Sequence, residues 1–176
     1  SWTRLVRHWT SMRFDDSSGV RPDRIVVMAR GLAGKLERTK TTGPDRTVQV
    51  LPWFLSFDCW IEHRDWILVG FELLRASFGG PRDYLLPLPS VDYRGFRRRR
   101  ALYSDAVGFS RTLLSSFVLP GGEGQPLLLE ETVRFWTEHS DRGGLDSWCA
   151  SLGHSADRRS FLGRWAASGS VDRYVR

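Results

Sequence analysis

This 176-residue sequence predicts an α+β fold, mainly helical, with a small three-stranded antiparallel sheet. Three observations predict it. Strand-prone runs lie close together at Ile25-Val26-Val27-Met28, Leu36 to Thr41 and Thr47 to Pro52. The second and third flank Thr42-Gly43-Pro44-Asp45, a tight-turn sequence that would pair them as a hairpin with Lys40 at its mouth. From Trp53 the apolar period changes to that of a helix.

Residues 1–12 read as the end of a helix, because Trp2, Leu5, Val6 and Trp9 fall at helical spacing for a buried stripe. Arg13 follows at once, then Phe14, Asp15 and Asp16, and Pro22-Asp23 marks a turn before the first strand. Trp53, Cys59, Trp60, Trp66, Ile67, Phe71 and Leu74 belong to an apolar surface too continuous for an exposed helix. Core packing accounts for these tryptophans better than base stacking does. Residues 78–95, rich in Gly and Pro, read as a long loop, and Arg97 to Arg100 leads into a helix from Ala101 to Val118. Two readings of the arginine run stay open: a solvated charge run, or an element that tracks a phosphate backbone. Pro120 to Gly124 is a further loop and Leu127 to Trp136 a short helix, with no internal repeat.

Length puts residues 1–176 at one domain with room for a sizeable core. A net charge of +6 and a pI near 10.0 favour a polyanionic partner, nucleic acid first and an anionic membrane second. Lysine occurs only at Lys35 and Lys40, so the positive charge is carried by arginines, whose forks pair with phosphate bidentately. Cys59 and Cys149 give neither a disulfide framework nor a metal cluster, and a reducing compartment is the expectation. No apolar run approaches the ~20 residues of a membrane span. There is no signal-peptide pattern, and the start without Met suggests a piece of a longer chain.

The stretch from His139 to Tyr174 carries the densest chemistry. His139 and Arg142, three apart, share one face of a helix. Trp165 and Tyr174 are nine apart, which one continuous helix would place on opposite sides. Ser168-Gly169-Ser170 lies between them and supplies a break, with Ser170 able to cap a new short helix. Two short helices and a turn would then bring indole and phenol to one site. Taken alone, a His-x-x-Arg pair is more often a solvated helix face.

Set in order along the chain, these residues resemble the catalytic domain of the tyrosine recombinase (phage integrase) family, nearest in flavour to its Crypton- and DIRS-like eukaryotic members. The family pattern is an Arg with an acidic residue three later, a hairpin Lys, His-x-x-Arg, a His or Trp, and a Tyr about nine further on. Arg13 with Asp16, Lys40, His139 with Arg142, Trp165 and Tyr174 match it in sequence. Each piece is weak by itself; the complete ordered set is specific. The likeness runs from Arg13 to the end.

The resemblance implies a site-specific DNA recombinase that cuts and rejoins strands through a 3′-phosphotyrosyl intermediate. Tyr174 would be the nucleophile, its hydroxyl needing help because a free phenol titrates near about 10. Arg13 and Arg142 would clamp the scissile phosphate, and Lys40 would protonate the leaving 5′ oxygen. His139 would bond the phosphate and assist proton transfer at Tyr174. Trp165 can only donate or pack, because an indole has no acceptor. Asp16 would orient the arginines or His139, and Arg38 with Arg97, Arg98, Arg99 and Arg100 would contact the DNA backbone. No metal and no cofactor is implied.

The implied partners are double-stranded DNA and further copies of the protein, as a tetramer on DNA at full length, with no membrane. The implied location is the nucleus if eukaryotic, otherwise the cytoplasm or nucleoid. An N-terminal DNA-clamping domain is expected outside this stretch. Three departures stand out: the interval from Lys40 to His139 is long, that clamp is absent, and the sequence stops two residues after Tyr174. Two other functions compete: a decayed or captured copy that binds DNA without cutting, and a basic structural protein with chance matches.

Overall fold

The computed structural model describes residues 2–37, 39, 50–59, 65–77 and 81–163. It is α+β, with seven helices and a three-stranded antiparallel sheet among the described residues. Helix α1 (Trp2–Thr10) occupies the middle and packs against α3 (Trp66–Ala76), α6 (Ser140–Ser151) and strand β3 (Leu51–Ser56). The expected stripe does this packing. Val6 is fully buried, Trp2 meets Phe71 at a ring separation of 5.9 Å, and Trp9 meets Trp148 edge-on at 5.2 Å.

Helix α1 ends in a Schellman turn. The N–H of Met12 donates to the Arg7 carbonyl (3.0 Å) and that of Ser11 to the His8 carbonyl (3.3 Å). Ser11 takes φ +50° in the position usually held by glycine, which costs about 1 kcal/mol. Met12, buried beneath the turn, anchors the chain as it enters α2 (Phe14–Ser18).

The sheet has the order β1 (Val26–Met28), β2 (Gly31–Leu36), β3, all antiparallel, with Leu32 opposite Leu55 and Gly34 opposite Trp53. Two strand boundaries differ from the sequence expectation. Strand β2 ends at Leu36 rather than beginning there, and β3 continues through Trp53 to Ser56 where a helix was expected. Glycine hid the second strand, because it is a poor strand former whose use here is close approach. A Cβ on Gly31 would sit 2.2 Å from the Leu55 carbonyl oxygen, and one on Gly34 would enter the Trp53 indole. The helix therefore begins only at Trp66.

Of the tryptophans expected in the core, Trp53 is buried and Trp66 half-buried, while Trp60 lies outside the described residues. Helix α3 is not wholly covered: Ile67, Phe71 and Leu74 face the core, but Leu68, Val69 and Leu73 face solvent.

The expected 78–95 loop contains a strand, β4 (Pro87–Pro89), paired antiparallel with β5 (Phe96–Arg100). The four arginines thus form an exposed strand, and the following helix α4 (Tyr103–Ser115) starts later than Ala101. The local reason is visible in the connecting loop, where Ser90 Oγ accepts from the Gly95 N–H at 2.9 Å and closes a hairpin end. Helix α5 (Glu130–Phe135) is shorter than the Leu127–Trp136 expected, and α7 (Ala156–Gly163) packs against α6. None of the described helices is long and apolar enough to cross a membrane.

Candidate functional site

Arg13 sits at the N-terminus of α2, delivered there by the turn after α1. Its backbone N–H donates to Asp16 Oδ2 at 2.9 Å, and Asp16 is 4% exposed. The carboxylate expected to orient an arginine therefore acts on the Arg13 backbone. A carboxylate three residues into a helix also complements the positive end of the helix dipole.

His139 is the N-cap residue of α6, with helical dihedrals, and Arg142 lies in the first turn. The Arg142 N–H donates to the His139 carbonyl at 3.1 Å, so the pair shares one turn of backbone. His139 is exposed to solvent. Its pKa is nonetheless held below the usual 6.5, first by partial removal from water, then by the positive charges of Arg142 and Arg13. The charges of Arg13 and Arg142 therefore both reach His139, although Arg13 comes from a different element 126 residues earlier in the chain, the difference between 139 and 13.

Arg142 is 2% exposed, and its Nη2 donates to the Gly163 carbonyl at 2.6 Å. That bond ties the start of α6 to the end of α7, directly before the chain that carries Trp165 and Tyr174. Trp165, Tyr174, Lys40 and Arg38 lie outside the described residues. Thr39, next to Lys40, lines a cleft of about 470 Å³ together with Arg13, Asp15, Arg100 and Tyr103. The strand of arginines and the Arg13 corner thus share one cleft through Arg100. The other three arginines are exposed along β5, where the register slips between Pro87 and Leu88 so that Arg98 and Arg99 bulge from the ladder.

Sequence reasoning missed the layer beneath these residues. Arg4 Nε donates to both oxygens of Asp141 at 2.9 and 3.0 Å, and Arg4 Nη2 donates to Oδ1 at 2.9 Å. Arg7 Nη2 donates to Glu138 Oε2 and, at 3.1 Å, to Asp141 Oδ2. Ser110 Oγ donates to the other Glu138 oxygen at 2.6 Å. Arg7, Ser110, Glu138 and Asp141 are all buried. Two cations face two anions, the condition under which buried charge is tolerable. A faint signal was present: Arg4 and Arg7 are three apart on α1, and Glu138 and Asp141 are three apart astride His139. Matching spacing cannot say that the two pairs meet. Among the described residues no group of three or more His, Cys, Asp or Glu side chains could hold a metal ion.

Two solved structures share this fold. One is the Tn1549 transposon integrase in complex with a circular intermediate DNA (TM-score 0.57, 12% identity), the other the same integrase in complex with transposon right-end DNA (TM-score 0.55, 9% identity). Each alignment covers 98% of this chain and 52% of the integrase chain, so the protein spans about half the length of those structures. The fold is therefore that of this transposon integrase over about half its length. No family model matches the sequence, and no curated protein matches it.

Proposed function

We propose that this chain is the catalytic domain of a DNA strand-exchange enzyme of the tyrosine recombinase type, working on double-stranded DNA as a tetramer at full length. The observation that carries the reading is that Arg13, at the start of α2, and Arg142, in α6, both bring their charge to His139, inside a fold shared with a DNA-bound integrase.

In the reaction, the Tyr174 oxygen attacks the scissile phosphorus, the new O–P bond forms, and the bond from phosphorus to the 5′ oxygen breaks. The phenolic proton passes to His139, whose lowered pKa keeps it neutral and able to accept at neutral pH. The leaving 5′ oxygen takes its proton from Lys40. Arg13 and Arg142 stabilise the charge that grows on the non-bridging oxygens, so the positive charge needed comes from the chain itself. Arg97 to Arg100 extend the contact along the DNA backbone from the Arg100 end of the cleft. Trp165 is assigned a buttressing role, since an indole can only donate a hydrogen bond or pack.

One observation favours a second reading, a DNA-binding module that does not cut. Arg142 is 2% exposed and holds the Gly163 carbonyl, so phosphate reaches its guanidinium only when that cover opens. A nicked suicide DNA substrate separates the two readings. The enzyme accumulates a covalent protein–DNA adduct, and the module binds the same DNA without one.

A further inference from the structure

We propose that Arg7 is a positioning residue that sets both phosphate clamps at once, the His139–Arg142 turn on one side and the Arg13 corner on the other. The inference rests on the recombinase reading for what the clamps do, but on geometry alone for what Arg7 holds. Its guanidinium grips Glu138 and Asp141, the residue before His139 and the residue before Arg142. Its backbone carbonyl accepts the Met12 N–H at 3.0 Å, closing the turn that delivers Arg13. Its guanidinium also lies 5.7 Å from the Phe14 ring centroid, against the first residue of α2. One side chain therefore touches both peptide segments whose arginines must meet the phosphate.

The chemistry explains why arginine is needed. Both carboxylates are reached by one nitrogen, Nη2, which the rigid guanidinium plane holds between them; a lysine ammonium is a point charge on a flexible stem and is not fixed there. Arg4 reinforces Asp141 from the previous turn of α1, and Ser110 fixes Glu138 from α4. The array is buried and charge-balanced, so it holds one arrangement rather than several. A shift of about 1 Å in a clamp can cost on the order of 10²-fold in rate, so such a brace has catalytic consequences.

The test is Arg7→Lys in the intact protein, which keeps the charge and loses the fork. Two quantities are read. The first is the NMR titration of His139, assigned with a His139→Gln variant; the second is single-turnover cleavage of the suicide substrate beside DNA affinity. The proposal expects the His139 titration to move up toward its ordinary value, because the ring regains water and Arg142 and Arg13 are no longer held against it. Cleavage should fall by about tenfold or more while DNA affinity changes by less than about threefold. A folded Arg7→Lys protein with an unmoved His139 titration overturns the proposal, and so does a moved titration with unchanged cleavage. If Arg7→Lys does not fold, Arg4→Lys carries the same test more mildly, again with an unmoved titration as the overturning result. The titration needs no DNA. A wild-type protein that forms no adduct refutes the recombinase reading, and the titration still decides the role of Arg7.

Discussion

Arg142 Nη2 donates to the carbonyl oxygen of Gly163 at 2.6 Å, across 21 residues of sequence. This bond joins the first turn of α6 to the last residue of α7. The same guanidinium lies close enough to His139 to depress its pKa. Arg142 thus links the His139–Arg142 turn to the end of α7, which makes it the most informative residue to remove.

Nucleophile and clamp are separable. Tyr174→Phe deletes one oxygen and leaves every phosphate-binding group, so DNA binding should persist while the covalent adduct disappears. Arg142→Ala should lower cleavage by about 10²-fold or more with a smaller effect on binding, because its interaction grows as charge develops on the phosphate. A gel assay for the adduct beside a binding titration reads both. An adduct in Tyr174→Phe would assign the nucleophile elsewhere.

The leaving group tests Lys40. Replacing the scissile 5′ oxygen by sulfur creates a leaving group that departs without a proton. Lys40→Ala should therefore be slow on ordinary DNA and recover selectively on the sulfur substrate. Equal defects on both substrates would exclude Lys40 as the general acid.

Salt dependence tests the arginine strand. The slope of log K against log[salt] is about −0.9 for each phosphate neutralised. Changing Arg97 to Arg100 to Ala should flatten it by about that amount for each arginine that contacts DNA. Arg100, which shares the cleft with Arg13, should contribute most to affinity. An unchanged slope would make the strand a solvated edge.

The contact between α1 and α3 gives a stability prediction that depends on the residue opposite. A Cβ on Gly70 would stand 2.0 Å from Trp2 Cδ1 and 2.9 Å from Trp2 Cβ. Gly70→Ala gains about 1 kcal/mol of helix propensity but should lose about 1–3 kcal/mol to overpacking and a displaced indole. The loss of the bond from Trp2 Nε1 to the Ile67 carbonyl adds to the damage. A Trp2→Ala background removes the indole and leaves only the Cβ contact at 2.9 Å, so Gly70→Ala should cost less there than in the wild-type background. Urea melts of the four proteins check the difference.

Two histidines set a pH dependence. His8 is lowered chiefly by burial, His139 by partial burial and then by Arg142 and Arg13. With folded values below the unfolded 6.5, the unfolded chain binds more protons in the interval between them. Stability should therefore fall as pH drops below 6.5 and level off below the folded values. His8→Gln and His139→Gln should each flatten that slope in denaturant melts. Cleavage should need neutral His139 and hence reach its plateau at lower pH than an ordinary histidine would allow.

Which parts were legible in the sequence follows from the range over which each signal acts. The apolar stripe of α1 and the first strand are short-range patterns, carried by Trp2, Val6 and Trp9 and by the Val26–Met28 run, while the Thr42–Asp45 turn lies outside the described residues. The ordered set from Arg13 to Tyr174 is a pattern of residue types, of which only Arg13, Asp16, His139 and Arg142 fall among the described residues. Strand β2 was displaced because Gly31 and Gly34 are chosen for the Leu55 backbone and the Trp53 ring opposite, not for strand propensity. The arginine strand was hidden because its partner, Pro87–Pro89, reads as loop. Only the tertiary structure decided that Arg4 and Arg7 neutralise Asp141 and Glu138, and that Arg13 comes within electrostatic reach of His139. Buried charge is tolerated only against its counter-charge, and that pairing is settled when α1 docks on α6, through contacts over 130 residues apart that no local pattern encodes.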